Sequence, residues 1–288
     1  MNQLSISQLR VGDPGYPDLL KESKKPPELL YYSGAMPAAC ATCISVIGSR
    51  GITAYGHEVI SLLIPPLVQA GLSIVSGLAY GVDSQAQKVA LHYGGTCVAV
   101  LGSGLHAIYP ASHGGLAAAI VQAGGCVISE YPADMKALAY HFPCRNRIVA
   151  ALSPVTLIIE AGEKSGTLIT ARYALEAGRE VCVVPADITR VKSYGAHQLL
   201  KEGARPVTGA QDIMALYAGQ LELRFPTVLR PALTGSLACL YDLISQGATT
   251  ADDLLLALGW RIEELQSVLS VLELDGYIAF KGTTWQRI

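Results

Sequence analysis

Between residues 43 and 184 one pattern recurs: a short apolar run stops at a glycine or small polar turn, and a helical pattern follows. The apolar runs fall at 43–47, 72–76, 96–101, 125–129, 155–159 and 180–184, with helical patterns near 55–70, 83–93, 113–123, 144–152 and 167–177 between them. Runs without polar alternation belong to strands covered on both faces, and links of helix length exclude hairpins. The pattern therefore predicts an α/β fold, a parallel sheet with helices on both faces. Pro65–Pro66 falls inside the first helical pattern. Two missing amide donors and two rings there predict a kink or a break.

Parallel strands side by side put their glycine turns around one crevice, with helix N-termini pointing into it. Backbone N–H groups and helix dipoles there favour an anion. Four turns qualify: Gly48–Ser49–Arg50, Gly77–Leu78–Ala79–Tyr80–Gly81–Val82–Asp83, Gly102–Ser103–Gly104 and Ser165–Gly166–Thr167. Arg50 adds a planar cation suited to phosphate. Taken singly, each turn is equally a helix start, with Asp83 or Ser165 as a cap. Together they point to a shared site for a phosphate-bearing ligand.

Phe142–Pro143–Cys144–Arg145–Asn146–Arg147 combines two cations, an amide and an aromatic face, the elements of nucleic-acid contact. The alternative is an ordinary helix start with one arginine paired to Glu130 or Glu160. The six histidines are dispersed, with no HExxH spacing, no GxSxG elbow and no Walker lysine. Glu160, at a strand end, is in principle a general base but has no partner acid. Of the seven cysteines, Cys97, Cys126 and Cys182 lie in apolar runs. Cys40 and Cys43 form a CxxC that precedes a strand, where a redox pair would follow one, and no second pair completes a zinc site. Structural thiols are the expectation, with no metal and no cofactor.

Charge narrows the partners. Residues 40–215 carry twelve basic and eleven acidic side chains, so a nucleic-acid site must be a local cluster rather than a basic face. The chain opens on a polar segment, and its apolar runs are too short to span a bilayer. The expectation is a cytoplasmic protein without membrane insertion.

Residues 1–39, punctuated by prolines, read as a lead-in docking on a main domain at 40–223. Residues 224–231 read as a linker and 232–288 as a small second domain. Helical patterns at 235–245, 250–257 and 261–274, followed by a hairpin signal, fit a winged helix. The third of these helices carries Glu263, Glu264 and Glu273 against Arg261 alone, an unfavourable face for duplex DNA.

The strings VIGSR at 46–50, SGLAYGVDSQA at 76–86, AVLGSGL at 99–105, Tyr109–Pro110, SEYP at 129–132, FPCRNRIVAALS at 142–153 and the long run at 158–185 resemble the DNA-processing protein A (DprA/Smf) family. The resemblance implies an extended Rossmann fold that binds single-stranded DNA without sequence preference. It also implies a homodimer that protects incoming DNA during natural transformation and loads the RecA recombinase, with no enzymatic activity required. Carried onto this chain, Gly48, Ser49, Arg50, Ser165, Gly166 and Thr167 would hold phosphates, with Gly77, Gly81 and Gly102 shaping the turns. Arg145, Asn146 and Arg147 would contact DNA, and Phe142 would offer a stacking face. The chain departs from the family pattern at Cys144, where a basic residue is frequent, and at His113–Gly114–Gly115, Ala186–Asp187 and His197.

A second reading is an enzyme. The same kind of sheet resembles nucleoside monophosphate N-glycosidases, which use a PGGxGTxxE pattern. Here no glutamate follows the Ser165–Gly166–Thr167 turn at that spacing.

Overall fold

A computed structural model describes residues 4–36, 42–217, 235–245, 250–274, 277–281 and 284–287. The chain divides into two compact units, Met1–Pro226 and Thr227–Ile288. The linker expected at 224–231 and Cys40 of the CxxC lie outside the described residues.

The first unit is built on one nine-stranded sheet. Its strands are β1 (Ser7–Arg10), β2 (Leu29–Gly34), β3 (Cys43–Ile47), β4 (Ser73–Ser76), β5 (Cys97–Leu101), β6 (Cys126–Ser129), β7 (Val155–Ile158), β8 (Glu180–Val183) and β9 (Arg205–Pro206). They lie in the order β1-β2-β6-β5-β4-β3-β7-β8-β9. From β6 to β9 every pairing is parallel, as the unbroken apolar runs require. The lead-in does more than dock: β1 and β2 extend the sheet antiparallel, with Tyr32 opposite Ile128 of β6.

The helices are α1 (Asp18–Lys21), α2 (Ala54–Gln69), α3 (Val82–His92), α4 (Gly114–Gln122), α5 (His141–Ala151), α6 (Gly166–Glu176), α7 (Tyr194–Lys201) and α8 (Ala210–Met214). They cover both faces of the sheet. Cys97, Ala99 and Leu101 of β5 enter one hydrophobic core, and the intervening Val98 and Val100 enter the other. Both sides of a strand are thus dry, which is why these runs show no polar alternation. Burial raises the thiols of Cys97, Cys126 and Cys182 to about 12, and Cys43 is buried at the start of β3.

The break expected at Pro65–Pro66 is absent, and α2 runs through both prolines. The carbonyls that lose their amide partners belong to Ser61 and Leu62, which are exposed, so water can take the place of the missing donors. Packing of Leu63, Ile64 and Leu67 into the core holds the helix across the step.

The second unit contains α9 (Ser236–Ser245), α10 (Ala251–Leu258), α11 (Ile262–Leu274) and the antiparallel hairpin β10–β11 (Ile278–Lys281, Thr284–Arg287). Three helices and a two-stranded wing make a winged helix, packed around Leu240, Leu254, Leu265, Leu269 and Ile278. Among the described residues no helix is long and apolar enough to cross a membrane.

Candidate functional site

The sheet order fixes where a ligand can enter. The chain leaves β3 for β4 on one side and later returns to β7 on the other. The crevice therefore opens beyond the carboxyl ends of β3 and β7, where loops diverge to opposite faces. A cavity of about 590 Å³ occupies this place.

Three turns build it. After β3 come Gly48, Ser49 and Arg50, and Thr53 then caps α2, its Oγ1 accepting from the Gly56 amide at 3.3 Å. The second turn lies against the first. The Val82 amide donates to the Ser49 carbonyl at 3.1 Å. Gly81 has φ +82°, and a Cβ there would stand 2.2 Å from the Ser49 oxygen, so a side chain would push the two turns apart. The third turn follows β7. Ser165 caps α6, accepting from the Thr167 amide at 3.2 Å, and Gly166 opens the helix at the cavity wall. The Thr167 and Leu168 amides are thus taken by Ser165, and the positive end of the α6 dipole remains at the cavity lining.

The electrostatics have a buried part and an exposed part. Arg145 is 3% exposed. Its Nη1 donates to the Gly77 carbonyl at 2.5 Å and to the Val100 carbonyl, and its Nε donates to Asn146 Oδ1 at 3.2 Å. Burial lowers its pKa to about 10, partly opposed by the Asp83 carboxylate. It stays charged at neutral pH. Asp83 is buried as well, and desolvation raises its pKa against the pull of Arg145 and of the Gly77 amide, which donates to Asp83 Oδ2 at 3.0 Å. This pair nearly cancels. The exposed Arg50 and Lys164 and the half-buried Lys192 then leave the lining positive. Lys192 Nζ donates to the Gly51 carbonyl, which holds it against the first turn.

The structure gathers Gly48, Ser49, Arg50, Gly77, Arg145, Asn146, Ser165, Gly166 and Thr167 on one cavity wall. Gly81 stands behind the wall, against Ser49 and Arg50. Gly102 and Phe142 adjoin it outside: the Arg50 guanidinium lies over the Phe142 ring, 5.3 Å from its centre. The two arginines of the RNR triplet do not act together. A helix turns about 100° per residue, so residues two apart face away from each other. Arg147 leaves the crevice and pairs with Glu130 at 2.6 Å, one of the two partners considered from sequence. Arg145 enters it, but with its guanidinium committed to strand-end carbonyls.

Glu160 is also placed away from chemistry. Its carboxylate accepts the Thr53 amide at 3.0 Å and the Thr53 hydroxyl, holding the start of α2. Sequence reasoning missed Lys164 and Lys192 as crevice cations. Lys164 was legible as the residue just before the Ser165–Gly166–Thr167 turn, whereas Lys192 arrives from a turn before α7 that no local signal links to the site.

The family model described as DNA recombination-mediator protein A matches residues 7–218, and that of the DprA winged helix domain matches residues 226–280. Protein Smf of Escherichia coli K12 is 43% identical over 199 residues, 69% of this chain and 53% of its own length. DNA processing protein DprA of Streptococcus pneumoniae R6 is 39% identical over 203 residues, 70% of this chain and 71% of its own. The solved structure of the Streptococcus pneumoniae protein superposes with a TM-score of 0.68 at 37% identity, covering 73% of this chain and 74% of that one. A structure of DNA processing protein A from Helicobacter pylori, described for its single-stranded DNA binding mode, gives a TM-score of 0.67 at 29% identity, covering 76% of this chain and 98% of that one. The chain spans little more than half of the Escherichia coli relative and 63% of a putative DprA of Mycobacterium tuberculosis.

Proposed function

The chain belongs to the DNA recombination-mediator protein A family, and from that premise we propose that it binds single-stranded DNA through the crevice beyond β3, β4 and β7. The observation that carries this reading is the charge balance of the cavity wall. The one carboxylate lining it, Asp83, is buried, bonded to the Gly77 amide and offset by the charge of Arg145, while Arg50, Lys164 and Lys192 pair with no carboxylate among the described residues. Such a wall takes an anion, and its open side admits a chain of phosphates.

The same proposal extends to the protein's place in the cell. It acts in the cytoplasm as a homodimer, protects incoming single strands during natural transformation and hands them to RecA. The family resemblance over residues 7–218 is the support for these steps.

Binding without catalysis is favoured over glycosidic hydrolysis by two placements. Counted from Gly166–Thr167, the glutamate of the glycosidases falls at position 170, where this chain has the buried Thr170 of α6. Asp83, the acid at hand, is buried and held by the Gly77 amide. The test is a pair of assays on the same preparation: a salt-sensitive shift of labelled oligo-dT, and release of ribose 5-phosphate from AMP. The proposal expects the first and not the second. Turnover of AMP without retention of the oligonucleotide would replace it with the enzyme reading.

A further inference from the structure

Resting on that reading, we propose that His113, which does not line the cavity, is a positioning residue that shapes the cavity wall by tying down its second turn. The turn depends on Leu78, the one residue other than glycine with a positive φ, +55°, among the described residues. An L-residue is strained there and keeps that conformation only where its surroundings hold it. Both of its neighbours belong to the wall. The Gly77 amide donates to Asp83, the Gly77 carbonyl accepts from Arg145, and Ala79 lines the cavity beside them. Relaxation about Leu78 therefore turns the Gly77 carbonyl away from Arg145 or moves Ala79 on the wall.

Two contacts hold Leu78. Its side chain is fully buried in the core that Ala117 and Ile120 of α4 also enter. Its carbonyl lies 2.8 Å from His113 Nδ1, and a carbonyl can only accept, so Nδ1 carries the proton. The backbone does not supply this donor. The amide of Val82, four residues on and the helical partner by spacing, is taken by the Ser49 carbonyl at 3.1 Å. The histidine is itself fixed: it is buried at the N-cap of α4, and the Tyr80 ring meets it edge-on with ring centres 4.9 Å apart. Without that N–H the Leu78 carbonyl becomes a buried acceptor that has lost its donor, and the strained turn is free to relax. The cations of the wall are untouched by this loss, so the effect falls on geometry and not on charge.

The experiment uses the full chain. His113→Asn keeps a donor, since its amide N–H lies as many bonds from Cα as the Nδ1–H of histidine. His113→Leu and His113→Ala remove the donor, one with bulk in its place and one without. Two quantities are read: oligo-dT affinity per folded molecule across a salt series, and hydrogen exchange of the Gly77 amide in the free protein. The tether predicts that His113→Leu and His113→Ala each lose about fivefold or more in affinity, the lower end for one buried acceptor without its donor. The slope of log K against log salt stays within roughly 0.35 of wild type, half of one phosphate contact on a single strand. The Gly77 amide exchanges faster in both variants, and His113→Asn returns affinity and exchange to within about twofold of wild type. Wild-type affinity in His113→Leu, or an equal loss in His113→Asn, overturns the proposal. So does a slope reduced by a full contact, which would make His113 a phosphate ligand. The exchange measurement needs no DNA. A wild-type protein that does not retain oligo-dT refutes the single-strand reading, while exchange of the Gly77 amide still decides whether His113 holds the turn.

Discussion

Replacing Arg145 by alanine separates two roles that a cation in this crevice can have, contact with DNA and support of the turns. The guanidinium is buried, donates to the carbonyls of Gly77 and Val100, and neighbours the buried Asp83. Its removal leaves a carboxylate in a dry site with no cation. The two carbonyls that lose a buried donor cost about 1–3 kcal/mol each, about 2–6 kcal/mol together. In a unit of this size that lowers the melting temperature by roughly 4–24 °C. The loss also depends on pH. Desolvation already raises the Asp83 pKa, and Arg145 restrains it. Without Arg145 the folded-state value climbs further above the unfolded value of about 4. A carboxyl with a raised folded pKa binds its proton more tightly in the native state, so stability falls as pH rises through that window and returns as pH falls. The deficit of Arg145→Ala relative to wild type should therefore shrink as pH falls from neutrality toward the unfolded value. Thermal unfolding across that range reads the effect, with oligo-dT affinity measured per folded molecule. A variant that melts like wild type yet has lost oligo-dT would show that Arg145 touches the strand directly and that its role as a tether is wrong.

Two other outcomes follow from the placements. Arg147→Ala should cost about 1.5–3 kcal/mol by stranding Glu130 and should leave the salt dependence of oligo-dT binding unchanged, because Arg147 lies outside the crevice; a reduced salt slope would return it to the DNA contact. The exposed Glu263 and Glu264 at the start of α11 oppose phosphates, so residues 226–288 alone should not retard duplex DNA at low salt, and residues 1–225 should keep most of the single-strand affinity. Tight duplex binding by the fragment contradicts this.

The strands from β3 to β8 were legible because each is dry on both faces and bounded by glycine or proline. β1 and β2 were not, since they form the antiparallel margin of the sheet in a proline-rich stretch and only the pairing of Tyr31–Gly34 with Cys126–Ser129 gives them a place. The prolines of α2 read locally as a break, yet core packing on one face and exposed carbonyls on the other let the helix continue. At the site, Arg50 and the Ser165 turn were readable from their position at strand ends. The separation of Arg145 from Arg147 was implicit in the helical period, but which one enters the crevice depends on how α5 packs. Glu160 was opaque for another reason. Its role at the start of α2 exists only because β7 lies beside β3, an adjacency set by the strand order and not by any local pattern.

The salt dependence of single-strand binding tests the crevice most directly. Arg50→Ala/Lys164→Ala removes two exposed cations from the wall and none of the buried tethers. With oligo-dT, a plot of log K against log salt should lose about 1.4 from the magnitude of its slope, roughly 0.7 for each phosphate contact on a single strand. The melting temperature should stay within a few degrees of wild type. A folded double variant with the wild-type slope would mean that the strand's phosphates lie elsewhere on the protein.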